Sequence, residues 1–189
     1  MLIVDHRDSF TYNIYHLFRA AGQKVLVKDY AEVSPEDCLK NGPVILGPGP
    51  HSPLDVPESM RLFLEIAGRV PVLGICLGHQ IIGVAMGGKT RRATRIAHGV
   101  ISYIKHDGRG IFKGLPNPCG FVRYHSLVLE QPLAAGLRAT AFDEAGDVAA
   151  LEHESMPVWG IQFHPESALS QEGEKLARNF LRLAGACRP

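Results

Sequence analysis

Cys76 sits in the stretch Gly74-Ile75-Cys76-Leu77-Gly78-His79-Gln80, with a glycine two residues to either side. This is a G-x-nucleophile-x-G elbow with cysteine at its centre. Such an elbow turns a strand into a helix so sharply that a Cβ on either flanking residue would clash. The turn pushes the central side chain out over the sheet. It also sets the sulfur near a helix N-terminus, where partial positive charge favours thiolate. The chemistry on offer is attack by sulfur on an electrophilic carbon. Taken alone, the pattern fits a buried core cysteine equally well, because free cysteine is among the most buried residue types.

A cysteine nucleophile needs a base, and the base needs an orienting group. The chain has nine histidines. His6, His16, His98, His106, His125 and His153 carry no distinguishing context. His164-Pro165-Glu166 does, because it follows an extended run, Val158-Trp159-Gly160-Ile161-Gln162-Phe163. In an extended chain residues i and i+2 point to the same side, roughly 6.5–7 Å apart. Glu166 can then accept from one imidazole nitrogen while the other faces a thiol. By itself this pair also fits a solvent-exposed His and Glu at a strand end; the upstream cysteine elbow favours the functional reading. There is no H-E-x-x-H and no close Cys/His cluster, so no metal and no cofactor are expected.

The elements that must position these groups follow from the pattern of the chain. Leu2-Ile3-Val4 reads as a buried strand. Asp8-Ser9 reads as an N-cap for a helix over Phe10 to Ala21, which Gly22 ends. Lys24 to Tyr30 and Pro43 to Leu46 read as strands, with a helix opened by Ser34-Pro35-Glu36 between them. Met60 to Ala67 reads as a helix and Val70 to Ile75 as the elbow strand. This alternation predicts a doubly wound, mostly parallel α/β sheet with helices on both faces. Ligands sit beyond the carboxyl ends of such strands. Both the elbow and the rigid turn Gly47-Pro48-Gly49-Pro50-His51-Ser52-Pro53 fall there. After Gly87-Gly88 come runs at 100–104, 121–129, 137–142, 148–152 and 158–163, which predict a smaller antiparallel or mixed strand set. A last helix is expected from about Glu172 to Leu183.

Gly83-Val84-Ala85-Met86-Gly87-Gly88-Lys89-Thr90 matches the phosphate-loop pattern letter by letter. That loop needs a strand before it and a helix starting at Lys-Thr. Here the elbow helix precedes it and Arg91-Arg92-Ala93-Thr94-Arg95 follows, so Gly87-Gly88 reads as a helix stop. Lys89, Arg91, Arg92 and Arg95 read as a solvated strand edge. A length of 189 residues, 46% hydrophobic and 21% charged, suits one domain over residues 1–189. A net charge of +1 gives no case for nucleic acid or an anionic membrane. Charge comes too early for a signal peptide, and no apolar run reaches the length of a membrane span. A cytoplasmic setting is expected, with Cys38, Cys76, Cys119 and Cys187 as reduced thiols.

The elbow together with Gln162-Phe163-His164-Pro165-Glu166 resembles the class I glutamine amidotransferase family, and the likeness covers essentially the whole chain. Asp8-Ser9-Phe10-Thr11, the Gly-Pro turn, His98-Gly99 and Arg123-Tyr124-His125-Ser126-Leu127 are similar to one branch of it. That branch is the glutaminase component of anthranilate synthase and of 4-amino-4-deoxychorismate synthase. The resemblance implies Cys76 as nucleophile, His164 as base and Glu166 as its orienting carboxylate. It implies the N–H groups of Gly49 and Leu77 as oxyanion hole. It assigns Gly49, Pro50, His51, Leu77, Gln80, Ser126 and Leu127 to the binding of L-glutamine.

The implied reaction is hydrolysis of glutamine through a thioester, with ammonia passed to a chorismate-binding synthase subunit. The chain has no recognisable place for an ammonia acceptor of its own. Gly47, His51, His6-Arg7 and Val100 depart from the branch pattern. The first two bear on the glutamine pocket and Val100 bears on docking. A stand-alone γ-glutamyl hydrolase and a non-catalytic module are the rival readings; the presence of all three triad residues argues against the second.

Overall fold

The computed structural model describes residues 1–186, so Cys187 lies outside them. Strand β1 (Leu2–Asp5) leads to helix α1 (Thr11–Ala20), β2 (Leu26–Asp29), α2 (Pro35–Asn41) and β3 (Val44–Leu46). Then come α3 (Pro57–Ile66), β4 (Val72–Ile75), α4 (Leu77–Ala85) and β5 (Thr90–Arg92). The second half carries β6 (Val100–His106), β7 (Cys119–Arg123), β8 (Leu127–Leu129), β9 (Leu137–Phe142), β10 (Val148–His153), β11 (Val158–Ile161) and α5 (Gly173–Leu183).

Nine strands form one sheet in the order β2-β1-β3-β4-β11-β10-β9-β6-β7, while β5 and β8 pair separately. The first five in that order are parallel. β1 shows why helices cover both faces. Leu2 and Val4 join a core with Cys38 of α2, Phe63 of α3 and Ile81 of α4. Ile3 points the other way, into a core with Ile14 and Phe18 of α1 and Phe180 of α5. Alternate residues of a strand face opposite sides, so a strand apolar throughout must be covered twice.

The antiparallel strands are not a separate layer. β11 lies parallel to β4 on one edge and antiparallel to β10 on the other, so the sheet changes sense there. The antiparallel half then curls until its last strand meets the segment after β11. The His164 N–H donates to the Val122 carbonyl at 2.9 Å, and the Gln171 N–H donates to the Gly120 carbonyl at 2.8 Å. The run expected over 121–129 is two strands, β7 and β8, in different sheets.

Local sequence accounts for the start of α2 and the end of α4. Ser34 and Asp37 form the capping box of α2, with Pro35 in the first turn. α4 stops at Ala85, and Gly87 takes a φ of 98°, as a helix stop requires. Helix α1 differs from the expected start. Its N-cap is Phe10, not Asp8-Ser9. Asp8 Oδ1 accepts the Phe10 N–H at 2.8 Å instead, and Asp5 Oδ1 accepts from Thr11 Oγ1 at 2.7 Å. These bonds hold the preceding residues in a loop, the usual competition between short polar side chains and helix.

Candidate active site

The elbow is as tight as the glycine spacing requires. Cys76 stands at φ 54°, ψ −101°, a conformation that costs a non-glycine residue about 1–3 kcal/mol. A Cβ on Gly74 would run into the backbone of Gly78, and one on Gly78 into the carbonyl of Leu46. The Cys76 N–H donates to the Ile161 carbonyl at 2.8 Å, which ties the elbow to β11. Leu77 opens α4, so its N–H has no acceptor within the helix and is free to face a ligand.

The β4–β11 register aligns Ile75 with Ile161, so the chain leaving β11 runs alongside Cys76. His164 is on that stretch. His164 Nδ1 donates to Glu166 Oε1 at 2.7 Å, with both side chains almost fully buried. This fixes the tautomer and leaves Nε2 buried without a hydrogen-bond partner of good geometry. Burial pulls the proton affinity of His164 down, but Cys76 and Glu166 together outweigh it and raise the pKa well above the ordinary value. The ring is held from its faces and edges as well. Tyr124 stands perpendicular to it at 5.3 Å between centroids, and Phe10 lies at 5.5 Å.

A cavity of about 140 Å³ opens beside the sulfur. Gly49, Pro50, His51, Cys76, Leu77, Gln80, Ser126 and Leu127 line it. The residues expected around glutamine therefore converge on one cavity. Tyr124 and His125 line it too. Gln80 Nε2 donates to the Leu127 carbonyl at 3.0 Å and to Gln162 Oε1 at 3.1 Å. Gln162 Nε2 in turn lies 3.7 Å from Cys76 Sγ.

The Gly-Pro turn is anchored from below by His6, which is fully buried. Its Nδ1 donates to the Gly47 carbonyl at 3.1 Å, and its Nε2 accepts from Ser59 Oγ at 2.9 Å. Burial pushes its pKa down to about 4, so the ring is neutral as this pattern needs. A Cβ on Gly49 would lie 2.7 Å from His6 Cβ and from Leu77 Cδ2. The turn thus packs directly on the elbow. Arg123, next in the chain to Tyr124 of the cavity lining, makes a buried ion pair with Asp143 at 2.6 Å and donates to Ser102 Oγ at 2.8 Å. Burial first, and Arg123 beside it second, push the His125 pKa down to about 4.

Gln162, His6, Tyr124 and Phe10 had no assigned role in the sequence reading. Gln162 carried the strongest available signal, since it is two residues before His164 on the same extended run. His6 had none, because Gly47 and Ser59 are remote in the chain. His98 is at the edge of the cluster, edge-on to Tyr124 at 5.7 Å. Arg91 of the basic edge pairs with buried Asp147 rather than standing free. Cys38 and Cys119 are buried free thiols whose pKa values burial raises. Among the described residues no group of three His, Cys, Asp or Glu could hold a metal ion, and no helix is long and apolar enough to cross a membrane.

Residues 2–184 match the model of the family described as glutamine amidotransferase class-I. The chain is 43% identical over 184 residues to aminodeoxychorismate synthase component 2 of Escherichia coli, covering 96% of this chain and 98% of that one. It is 40% identical over 196 residues to anthranilate synthase component 2 of Pseudomonas aeruginosa, covering 100% and 98% respectively. A crystal structure described as a GMP synthase subunit from Thermoplasma acidophilum has the same fold. The TM-score is 0.88 at 21% identity, over 98% of this chain and 93% of that one. With its elbow, its His-Glu pair and this match over nearly its whole length, the chain belongs to the class-I glutamine amidotransferase family.

Proposed function

We propose that this chain is the glutaminase subunit of a two-subunit synthase, acting as one domain over residues 1–189. It hydrolyses L-glutamine and passes ammonia to a chorismate-binding synthase subunit, which makes 4-amino-4-deoxychorismate, anthranilate or both. The observation that carries this reading is the joint placement of Cys76 at a strained elbow and of a buried His164–Glu166 pair beside it.

Cys76 Sγ is the nucleophile. It attacks the side-chain amide carbon of glutamine, and a C–S bond forms as the carbonyl oxygen takes negative charge. The N–H groups of Leu77 and Gly49 face that oxygen. Each such donor is worth about 3 kcal/mol in comparable sites. His164 Nε2 gives its proton to the amide nitrogen, the C–N bond breaks, and ammonia leaves a thioester on Cys76. Water then adds to the thioester, His164 takes its proton, and the C–S bond breaks to release glutamate. The raised proton affinity of His164 supports a protonated imidazole beside the sulfur, ready to give its proton to the leaving nitrogen. Gly49, Pro50, His51, Leu77, Gln80, Ser126 and Leu127 hold the substrate in a cavity that suits a small amino acid.

The partner reading is supported by relatives that are each component 2 of a synthase. The same relatives do not favour a stand-alone γ-glutamyl hydrolase. A cytoplasmic setting fits, since it keeps the sulfur reduced. The test is reconstitution with the synthase subunit co-purified from the source cells. Cys76→Ser is expected to abolish glutamine-dependent product and to leave ammonium-dependent product intact. Loss of both, or retention of both, would remove Cys76 from the reaction.

A further inference from the structure

We propose that Gln162 is a positioning residue for the Cys76 sulfur, with its amide N–H held against the sulfur by a relay that starts at the backbone of Leu127. The inference rests on Cys76 being the nucleophile. Gln162 is 1% exposed and follows directly after β11, where its own N–H donates to the Ala149 carbonyl at 2.9 Å. Its side chain therefore has no solvent to turn into.

Donor and acceptor counting fixes which way its amide faces. A primary amide nitrogen carries two hydrogens and its oxygen carries none. Both hydrogens of Gln80 are used, one on the Leu127 carbonyl at 3.0 Å and one on Gln162 Oε1 at 3.1 Å. The Leu127 carbonyl can only accept, so Gln80 must present its nitrogen there. Gln162 must then present its oxygen to Gln80, because a turned amide would set NH2 against NH2. That leaves Gln162 Nε2 facing Cys76 Sγ at 3.7 Å as a donor. Turned over, the same amide would aim oxygen lone pairs at the sulfur.

A donor at that place favours thiolate over thiol and restricts the side-chain torsion of Cys76 to the rotamer it meets. It also couples the nucleophile to the cavity wall, since Leu127 lines the space in which the substrate is held. The other charged or titratable groups around the sulfur are His164 with Glu166 behind it, His125 with Arg123 beside it, and His51 and Tyr124, which line the same cavity. Gln162 adds to them a donor that does not titrate and whose direction Gln80 and Leu127 dictate.

The experiment compares wild type, Gln162→Glu and Gln162→Met as full chains. It reads glutamate release from glutamine with the synthase subunit present, ammonium-dependent product, and the rate of Cys76 alkylation by iodoacetamide from pH 6 to 9. Gln162→Glu keeps the acceptor for Gln80 and replaces the donor at the sulfur with a carboxylate. Its kcat and its alkylation rate at pH 7 are expected to fall about tenfold or more, the loss of a hydrogen bond to a charged group. Its alkylation profile moves to higher pH, KM changes by less than about threefold, and ammonium-dependent product is unchanged. Gln162→Met lacks both partners, so kcat falls similarly and KM rises as Gln80 loosens.

A Glu variant with wild-type kcat and alkylation overturns the proposal, as does one that changes KM alone. Should the Glu variant not fold, alkylation of the Met variant at the wild-type rate overturns it. Wild-type protein that releases no glutamate and is not alkylated at Cys76 overturns the reading of the site itself, a distinct outcome.

Discussion

Glu166 Oε1 takes the Nδ1–H of His164 at 2.7 Å, yet Glu166 Oε2 is buried with no partner. One oxygen of this carboxylate is placed to orient the ring and the other meets no donor, an arrangement suited to the proposed role of fixing the imidazole. His164→Ala is expected to lower glutamine-dependent turnover by as much as Cys76→Ser, with ammonium-dependent product kept. Glu166→Ala should lose roughly a hundredfold less than either, as orienting carboxylates do when deleted from a triad. Steady-state kinetics of the reconstituted synthase would measure both, and equal losses would put Glu166 in the proton transfer. At this scale the sequence was most informative about Cys76, His164 and Glu166. Each is announced by its neighbours: glycines at ±2 for the sulfur, an extended run and a proline for the pair. Gln162 was passed over because its function depends on which way an amide points, and that is decided by Gln80 and Leu127 far along the chain.

Glycines do for the elements what those residues do for the chemistry. Gly78 lets α4 approach β3 so closely that a methyl group would overlap the Leu46 carbonyl, which is backbone and cannot step aside. Gly78→Ala is expected to cost about 3 kcal/mol or more of stability, read as the urea midpoint, with activity lost because the elbow opens. A Cβ at Gly49 would lie 2.7 Å from Leu77 Cδ2, a side-chain end that can turn, but also 2.7 Å from His6 Cβ and 3.2 Å from the His6 carbonyl, which cannot move without the backbone. Gly49→Ala should therefore displace the turn, at a cost of about 1–3 kcal/mol in stability, and turnover of the folded variant should fall on the order of a hundredfold as the proposed Gly49 donor moves off the oxyanion. Wild-type turnover in a folded Gly49→Ala protein would take that N–H out of the mechanism. The start of α2 and the end of α4 were readable from such local signals, since capping boxes and glycine stops act over a few residues, whereas α3 begins at Pro57, three residues before the expected Met60. The place of β11 was not. Periodicity gives a strand its faces but not its neighbours, and only the register of Ile75 with Ile161 brings His164 to Cys76. The start of α1 was misplaced for a related reason: Asp8 and Asp5 bond to the loop itself, a competition that residue type alone does not rank.

Across the whole molecule, three buried histidines make the fold sensitive to acid. Burial lowers the pKa of His6 to about 4, of His79 to about 3 and of His125 to about 4. His79 is fully buried with neither ring nitrogen in a hydrogen bond of good geometry, packed where Gly160 leaves room for its Nδ1. In the unfolded chain each of the three titrates near 6.5. Below that pH the unfolded state binds protons that the folded state refuses, so stability falls as pH falls through the window from about 6.5 to about 4. Each histidine contributes a slope of about 1.4 kcal/mol per pH unit within the window, and three together about 4. Across the window that comes to at most about 10 kcal/mol, comparable with a typical domain stability of about 5–15 kcal/mol. His164 takes no part in this limb: its raised pKa keeps it protonated in both states below 6.5. Asp37 and Asp147, held below their ordinary 3.8, act only at lower pH. Urea unfolding at half-unit steps from pH 7 to 4 should show the decline, and a flat profile down to pH 5 would mean that these rings take protons while folded. His79→Leu removes one of the three proton sites without removing a well-formed hydrogen bond. Its slope should therefore drop by about one third, and the variant should gain on wild type as the solution becomes more acid, whatever packing it loses at pH 7.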